Sequence, residues 1–149
     1  MSKGKKQPRA GFIPYYVSDD GKVFVMFMKP SDGKYGGKQF QIAKGKIEDG
    51  EDAKTAAIRE ASEEIGLKEE NLDNCRYFGT FLGYTELYYG RVKDKDDFGS
   101  TTYETEEAKW IEVEEFYKIG RPLHIPIIKA FCRDIIKWEP ALQSPESEK

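Results

Sequence analysis

The apolar residues of this chain fall into short runs with two different periods. Ala10 to Val17 (AGFIPYYV) and Lys22 to Lys29 (KVFVMFMK) are rich in aromatic and branched residues, and Ser18-Asp19-Asp20-Gly21 between them has the composition of a turn. They predict two strands; the nearly unbroken apolar run of the second suits a strand covered on both faces. Lys29 to Lys38 holds Pro30, Gly33, Gly36 and Gly37 and predicts a loop, with a short strand from Phe40 to Ala43 after it.

From Glu51 the period becomes that of a helix ended by Gly66, because glycine accepts the left-handed conformation beyond a helix C-terminus. Glu51 and Asp52 then fall in the first turn, where the macrodipole favours negative charge. Ala57, Ile58, Ala61 and Ile65 share one side and suit a core, while Glu60, Glu63 and Glu64 fall within an arc of about 100° on the other.

Arg76 to Tyr84 and Glu86 to Val92 predict two strands that meet at a turn near Gly83 to Thr85. A charged loop, Asp94 to Ser100, precedes a strand from Ala108 to Val113 and a short helix from Glu114 to Ile119. Pro126 opens a last helix, where a missing amide proton costs nothing, with Ile128, Phe131, Cys132 and Ile135 as its stripe. Residues 9–139 read as one domain, with 1–8 and 140–149 as flexible termini. Strands, an embedded helix, more strands and a closing helix predict an α/β fold with a mixed sheet packed between helices.

At 149 residues, 38% hydrophobic and 13% aromatic, the chain has the means to bury a core. The net charge of −3 supplies no global basic field, so DNA is not an expected partner. An acidic protein can still hold polyphosphate where metal ions invert the local sign. Cys75 and Cys132 are too far apart for a C-x-x-C motif and read as ordinary packing in a reducing, cytoplasmic setting. The basic residues 1–9 lack the apolar core of a signal peptide, and no apolar run approaches a membrane span. No feature specifies an oligomeric state.

The acid arc carries the candidate chemistry. Like charges at i,i+3 and i,i+4 destabilise a helix by a few tenths of a kcal/mol per pair, and a solvated face with Arg59 paired to Glu63 is the ordinary explanation. Several carboxylates aimed at one spot become favourable around a hard divalent cation such as Mg²⁺.

Residues 45 to 67, GKIEDGEDAKTAAIREASEEIGL, resemble the Nudix box, G-x5-E-x7-R-E-U-x-E-E-x-G-U, through Gly45, Glu51, Arg59, Glu60, Ala61, Glu63, Glu64, Gly66 and Leu67. Ala61 stands where the family usually has a larger aliphatic residue. The resemblance implies an α/β/α sandwich and a hydrolase that cleaves a diphosphate bond in a nucleoside diphosphate linked to another group. It implies that Glu60, Glu63 and Glu64 hold Mg²⁺ or Mn²⁺, with a backbone carbonyl near Gly45 completing the shell. Arg59 would orient Glu63 or Glu51, and Glu51 would act through water or at the start of the helix. The catalytic base is implied to be a box glutamate, Glu63 included, or an acid from the loop before Trp110, where Glu104 is the first choice over Glu106 and Glu107. Lys44 stands where related enzymes have a phosphate-contacting lysine; Lys46 reads as a solvated side chain.

The box specifies the reaction and not the leaving group. Tyr84, 17 residues past Leu67, lies where relatives that cleave dinucleoside polyphosphates carry a tyrosine, and its ring offers adenine a stacking face. No proline occurs between Gly66 and Arg121, where ADP-ribose enzymes tend to have one. A small nucleotide such as diadenosine tetraphosphate is therefore the expected substrate. The alternatives are ADP-ribose or a nucleotide sugar, the 5′ end of an RNA tracked by the lysines at 29, 34, 38, 44 and 46, and a nucleotide-binding sensor without turnover. His124, the only histidine, is expected to cap or pack near the last helix.

Overall fold

The computed structural model describes residues 7–32 and 38–143. Six strands form one mixed sheet: β1 (Arg9–Val17), β2 (Val23–Pro30), β3 (Ala43–Lys46), β4 (Arg76–Phe81), β5 (Thr85–Arg91) and β6 (Thr105–Glu112). The helices are α1 (Ala53–Ile65), α2 (Val113–Ile119) and α3 (Ile125–Ile135). The order across the sheet is β4-β5-β1-β2-β6, with β1 and β5 parallel and the other pairs antiparallel.

β1 changes partner along its length. Its first half, Arg9 to Phe12, pairs with β3, and its second, Tyr15 to Val17, pairs with β2. Pro14, which has no N–H to give a ladder, stands between the two registers. On the far side of β3's approach, Gln41 exchanges both backbone bonds with Met28 at 2.8 and 3.1 Å. β3 is thereby wedged between β1 and β2 at one end of the sheet, and the site forms at that end.

Each face of the sheet buries its own layer. Ala10, Phe12, Met26, Met28 and Ala43 pack against α1, whose Ala56, Ala57 and Ala61 are fully buried. Three small side chains let the helix lie close on the strands, so the alanine at the box's aliphatic position has a packing reason. Ile58, expected in that core, is only partly buried, and Ala56 takes its place. On the opposite face Tyr15, Phe27 and Tyr89 pack against Phe116, Ile128 and Phe131, with the rings of Phe27 and Phe116 stacked 3.8 Å apart. The result is the expected α/β/α arrangement. β2 is apolar on both faces because it is covered on both. No helix among the described residues is long and apolar enough to cross a membrane.

Several boundaries differ from those read in the sequence. The short strand is Ala43–Lys46 and not Phe40 to Ala43, since Phe40 and Gln41 make only isolated bridges to Gly120 and Met28. The box glycine therefore lies inside a strand. α1 begins at Ala53, because Asp52 is extended and its carboxylate caps the amide of Thr55 at 2.8 Å; Glu51 lies outside the first turn. β6 starts at Thr105, earlier than Ala108. Order continues past Pro140 through the turn Pro140–Leu142, where Leu142 packs on the core and the preceding Glu139 accepts from the buried Tyr15 hydroxyl at 2.7 Å. Residues 1–6, 33–37 and 144–149 lie outside the described residues.

Gly66 ends α1 at φ +74° and donates its N–H to the carbonyls of Ala61 and Ser62. A Cβ there would overlap the Gly99 carbonyl, and Gly99 returns its amide to Gly66 at 2.7 Å. Gly66→Ala is expected to cost at least ~1–2 kcal/mol from the left-handed backbone alone, with the overlap added. Thermal denaturation should show a clearly lowered Tm; a variant that melts with the wild type would contradict this account of the helix end.

Candidate active site

Arg59, near the middle of α1, organises the acids. Its Nε and Nη2 form a fork on Glu51, at 2.7 and 3.0 Å, and Nη2 also reaches the Lys46 carbonyl at 2.9 Å. Nη1 contacts Glu60 at 3.1 Å and Glu63 at 3.3 Å. The guanidinium thus ties the helix to the segment between β3 and α1, and holds the Glu51 carboxyl below its ordinary range. Glu51 is fixed further by the amide of Glu48 at 3.0 Å.

Glu60 and Glu64 lie one turn apart over the end of β3. The Glu60 carboxylate rests on Gly45, where any Cβ would overlap it. Glu64 Oε1 accepts the Lys44 amide at 3.2 Å. Burial, and then the charge of Glu60, push Glu64 up to about 9; burial raises Glu60 as well. Two carboxylates that cannot both ionise comfortably define a place where a cation would be stabilising. Carboxylate oxygens, with the backbone of Gly45 bare beneath them, fit the donor chemistry of Mg²⁺ or Mn²⁺.

The three box glutamates do not converge. Glu63 is drawn to Arg59, and among the described residues no three His, Cys, Asp or Glu side chains gather closely enough to grip a metal. Glu60, Glu64 and Gly45 instead share a cleft of about 820 Å³ with Lys44, Tyr84 and Glu104. Glu104 is exposed, on a loop fastened to the C-terminal turn of α1: Thr105 Oγ1 donates to the Glu64 carbonyl at 2.8 Å, and the Thr102 amide to that of Glu63 at 2.9 Å. Glu106 and Glu107 are taken up by Lys29 and Lys38. Tyr84 is set by the β4–β5 turn, whose Leu82 and Gly83 both have positive φ, and its carbonyl accepts the Arg9 amide at 3.3 Å. Lys46 is exposed.

Two residues of this cleft carry no signal in the sequence, Arg9 and Arg121. No spacing links them to the box; the fold alone brings them together. Arg121 donates to Gln41 Oε1 at 3.2 Å, and its amide to the Phe40 carbonyl at 2.9 Å. His124 is fully buried and makes no side-chain cap for α3; its Nδ1 accepts the Ile42 amide at 3.0 Å and so fixes the approach to β3.

The NUDIX domain family profile matches residues 6–131, most of the chain, and the chain belongs to the Nudix family of pyrophosphohydrolases. Nudix hydrolases as a class use divalent metal ions. No curated protein matches the chain. Among solved structures, a C. elegans Ap4A hydrolase binary complex is similar at 23% identity and a TM-score of 0.69, covering 87% of this chain and 99% of that one. A Nudix hydrolase from M. smegmatis, RenU, has 14% identity and a TM-score of 0.69 over 87% of each chain. The NUDIX domain of Shewanella oneidensis NrtR, complexed with ADP ribose, has 11% identity and a TM-score of 0.67, covering 91% and 92%. At these identities the likeness is one of fold.

Burial first, then the charges of Arg121 and Lys44, push His124 down from 6.5 to about 3. The unfolded chain binds this proton near pH 6.5 and the folded one does not, so stability is lost as pH falls from there toward 3. His124→Gln keeps an acceptor for Ile42 without the titration. Its Tm should fall less between pH 7 and pH 4 than that of the wild type; equal acid slopes would mean that His124 is not held neutral.

Proposed function

We propose that the protein is a metal-dependent hydrolase of dinucleoside polyphosphates such as diadenosine tetraphosphate, built on a single domain, residues 9–139, and acting in the cytoplasm. The reading is carried by one observation: the Glu60–Glu64 pair over Gly45 shares a cleft with a lysine for phosphate and a tyrosine for a base. Glu60, Glu64 and the Gly45 carbonyl would hold Mg²⁺ or Mn²⁺, with Glu63, now in contact with Arg59, as a further ligand. The bound ion supplies Lewis acidity and a water of lowered pKa.

Lys44 meets phosphate charge from its half-buried site, where burial and the neighbouring arginines bring it down to about 8. Glu104 takes the proton of the attacking water, with Glu63 as the other candidate. Arg59 and Glu51 position the acids without touching substrate. The Tyr84 ring stacks on a base. The unpaired thiols of Cys75 and Cys132 suit a reducing compartment.

The RNA reading is the less supported, since of its lysines Lys29 and Lys38 pair with Glu106 and Glu107, while Lys34 lies outside the described residues. ADP-ribose remains the second substrate to assay, because the NrtR domain binds it on the same fold.

Chelation should abolish turnover and added Mg²⁺ or Mn²⁺ restore it. Glu64→Gln should lower kcat by roughly 10²-fold or more, while the metal-free variant melts no lower than the wild type, because the raised carboxylate is gone. Turnover in excess chelator would sink the metal-dependent mechanism, a kcat within twofold of wild type would make the acid pair dispensable, and no turnover with metal present would leave the sensor reading standing.

Tyr84→Ala should raise KM for diadenosine tetraphosphate by roughly tenfold or more through lost stacking, and Tyr84→Phe should be nearly silent. Product analysis for AMP and ATP beside an ADP-ribose control checks the assignment. Equal losses on both substrates with a lowered Tm would make the ring structural.

A further inference from the structure

Arg9, Lys44 and Arg121 converge on the face of β3 opposite the acids, where alternation also sends the exposed Lys46. In the β1–β3 register Arg9 faces Lys46 and Gly11 faces Lys44, so alternation sends the Arg9 and Lys44 side chains to the same side of the sheet. Gly11 leaves Lys44 its room, since a Cβ there would press on the Lys44 Cβ and the Ala43 carbonyl. Arg121 reaches this face from the segment after α2, braced by Gln41.

Such a gathering is unfavourable by itself. All three line one cleft, and Arg121 is pushed down by burial and then by the charge of Arg9. Arg59 and Arg91 carry the arginine ion pairs among the described residues, while Arg9 and Arg121 carry none. Glu64 meets Lys44 through the backbone, accepting its amide at 3.2 Å. Guanidinium groups held without a carboxylate match phosphate oxygens in charge and shape.

We propose that Arg9, Arg121 and Lys44 form a polyanion subsite that reads the phosphates beyond the scissile bond, so that the cleft prefers a chain of three or more phosphates to a bare diphosphate. The acid pair lies on one side of β3 and the cations on the other. A ligand that touches both must run around the strand, and a diphosphate at the acids leaves the cations unoccupied. The assignment rests on the hydrolase reading of the same cleft.

Two measurements test it: calorimetric titration of inorganic tripolyphosphate into metal-free protein in chelator, and steady-state kinetics on diadenosine tetraphosphate and ADP-ribose. Tripolyphosphate should bind the metal-free wild type, and Arg9→Gln and Arg121→Gln should each weaken that binding by roughly tenfold or more. Arg121→Lys should recover part of it. In kinetics, both Gln variants should raise KM for the tetraphosphate with kcat and the ADP-ribose parameters nearly unchanged. The subsite is overturned if Arg9→Gln binds tripolyphosphate as the wild type does, or if it raises KM for the tetraphosphate and for ADP-ribose alike. Should Arg121→Gln fail to fold, Arg9→Gln and Arg121→Lys decide. Arginine-dependent tripolyphosphate binding without dinucleotide turnover would keep the subsite and remove the substrate reading; turnover with unaltered variants would do the reverse.

Discussion

A guanidinium offers five donors in a fixed plane, and Arg59 spends them on three carboxylates and one carbonyl. That single side chain settles the geometry of the acid side of the cleft. Glu51 is bound in the fork and anchors the chain before α1, and Glu63 is drawn aside. Glu60 and Glu64 are left as neighbours one turn apart, and burial together with their mutual repulsion raises their affinity for protons. The spacing of the box therefore reflects two needs at once: acids one helical turn apart, and an arginine placed to sort them.

The cleft is electrostatically divided by one strand. Gly45 turns a bare backbone toward Glu60, while Lys44 before it sends its side chain to the other face. A short strand with alternating lysines around a glycine is thus a partition with acid on one side and base on the other. The wedge of β3 into the sheet makes this possible, because a strand bordered along its whole length would have no open end for a ligand to round.

Local patterns made part of this legible in advance. The helical period over residues 51–66 and the acid arc depend only on neighbours within a few residues, and the apolar runs of β1 and β2 announce a covered sheet. β3 was harder to place, since its residues, AKGK, lack apolar alternation and their strand pairing comes from β1, thirty-odd residues earlier. The detour of Glu63 was hidden because the arc tells where side chains leave the helix and not which partner competes for them. Arg9 and Arg121 could not be found at all from spacing: more than a hundred residues separate them, and only the closed fold makes them neighbours.

The double pairing of β1 has a consequence for how the chain is made. During synthesis β2 and β3 follow β1 closely, yet its other edge is completed by β5, some seventy residues later. Synthesis at roughly 5–20 residues per second leaves that edge bare for several seconds. Throughout that interval a strand with Phe12, Ile13 and Tyr15 stands open to any extended chain nearby. The parallel β1–β5 seam, the one that closes the central strand of the sheet, thus becomes available only long after the β1–β2 hairpin.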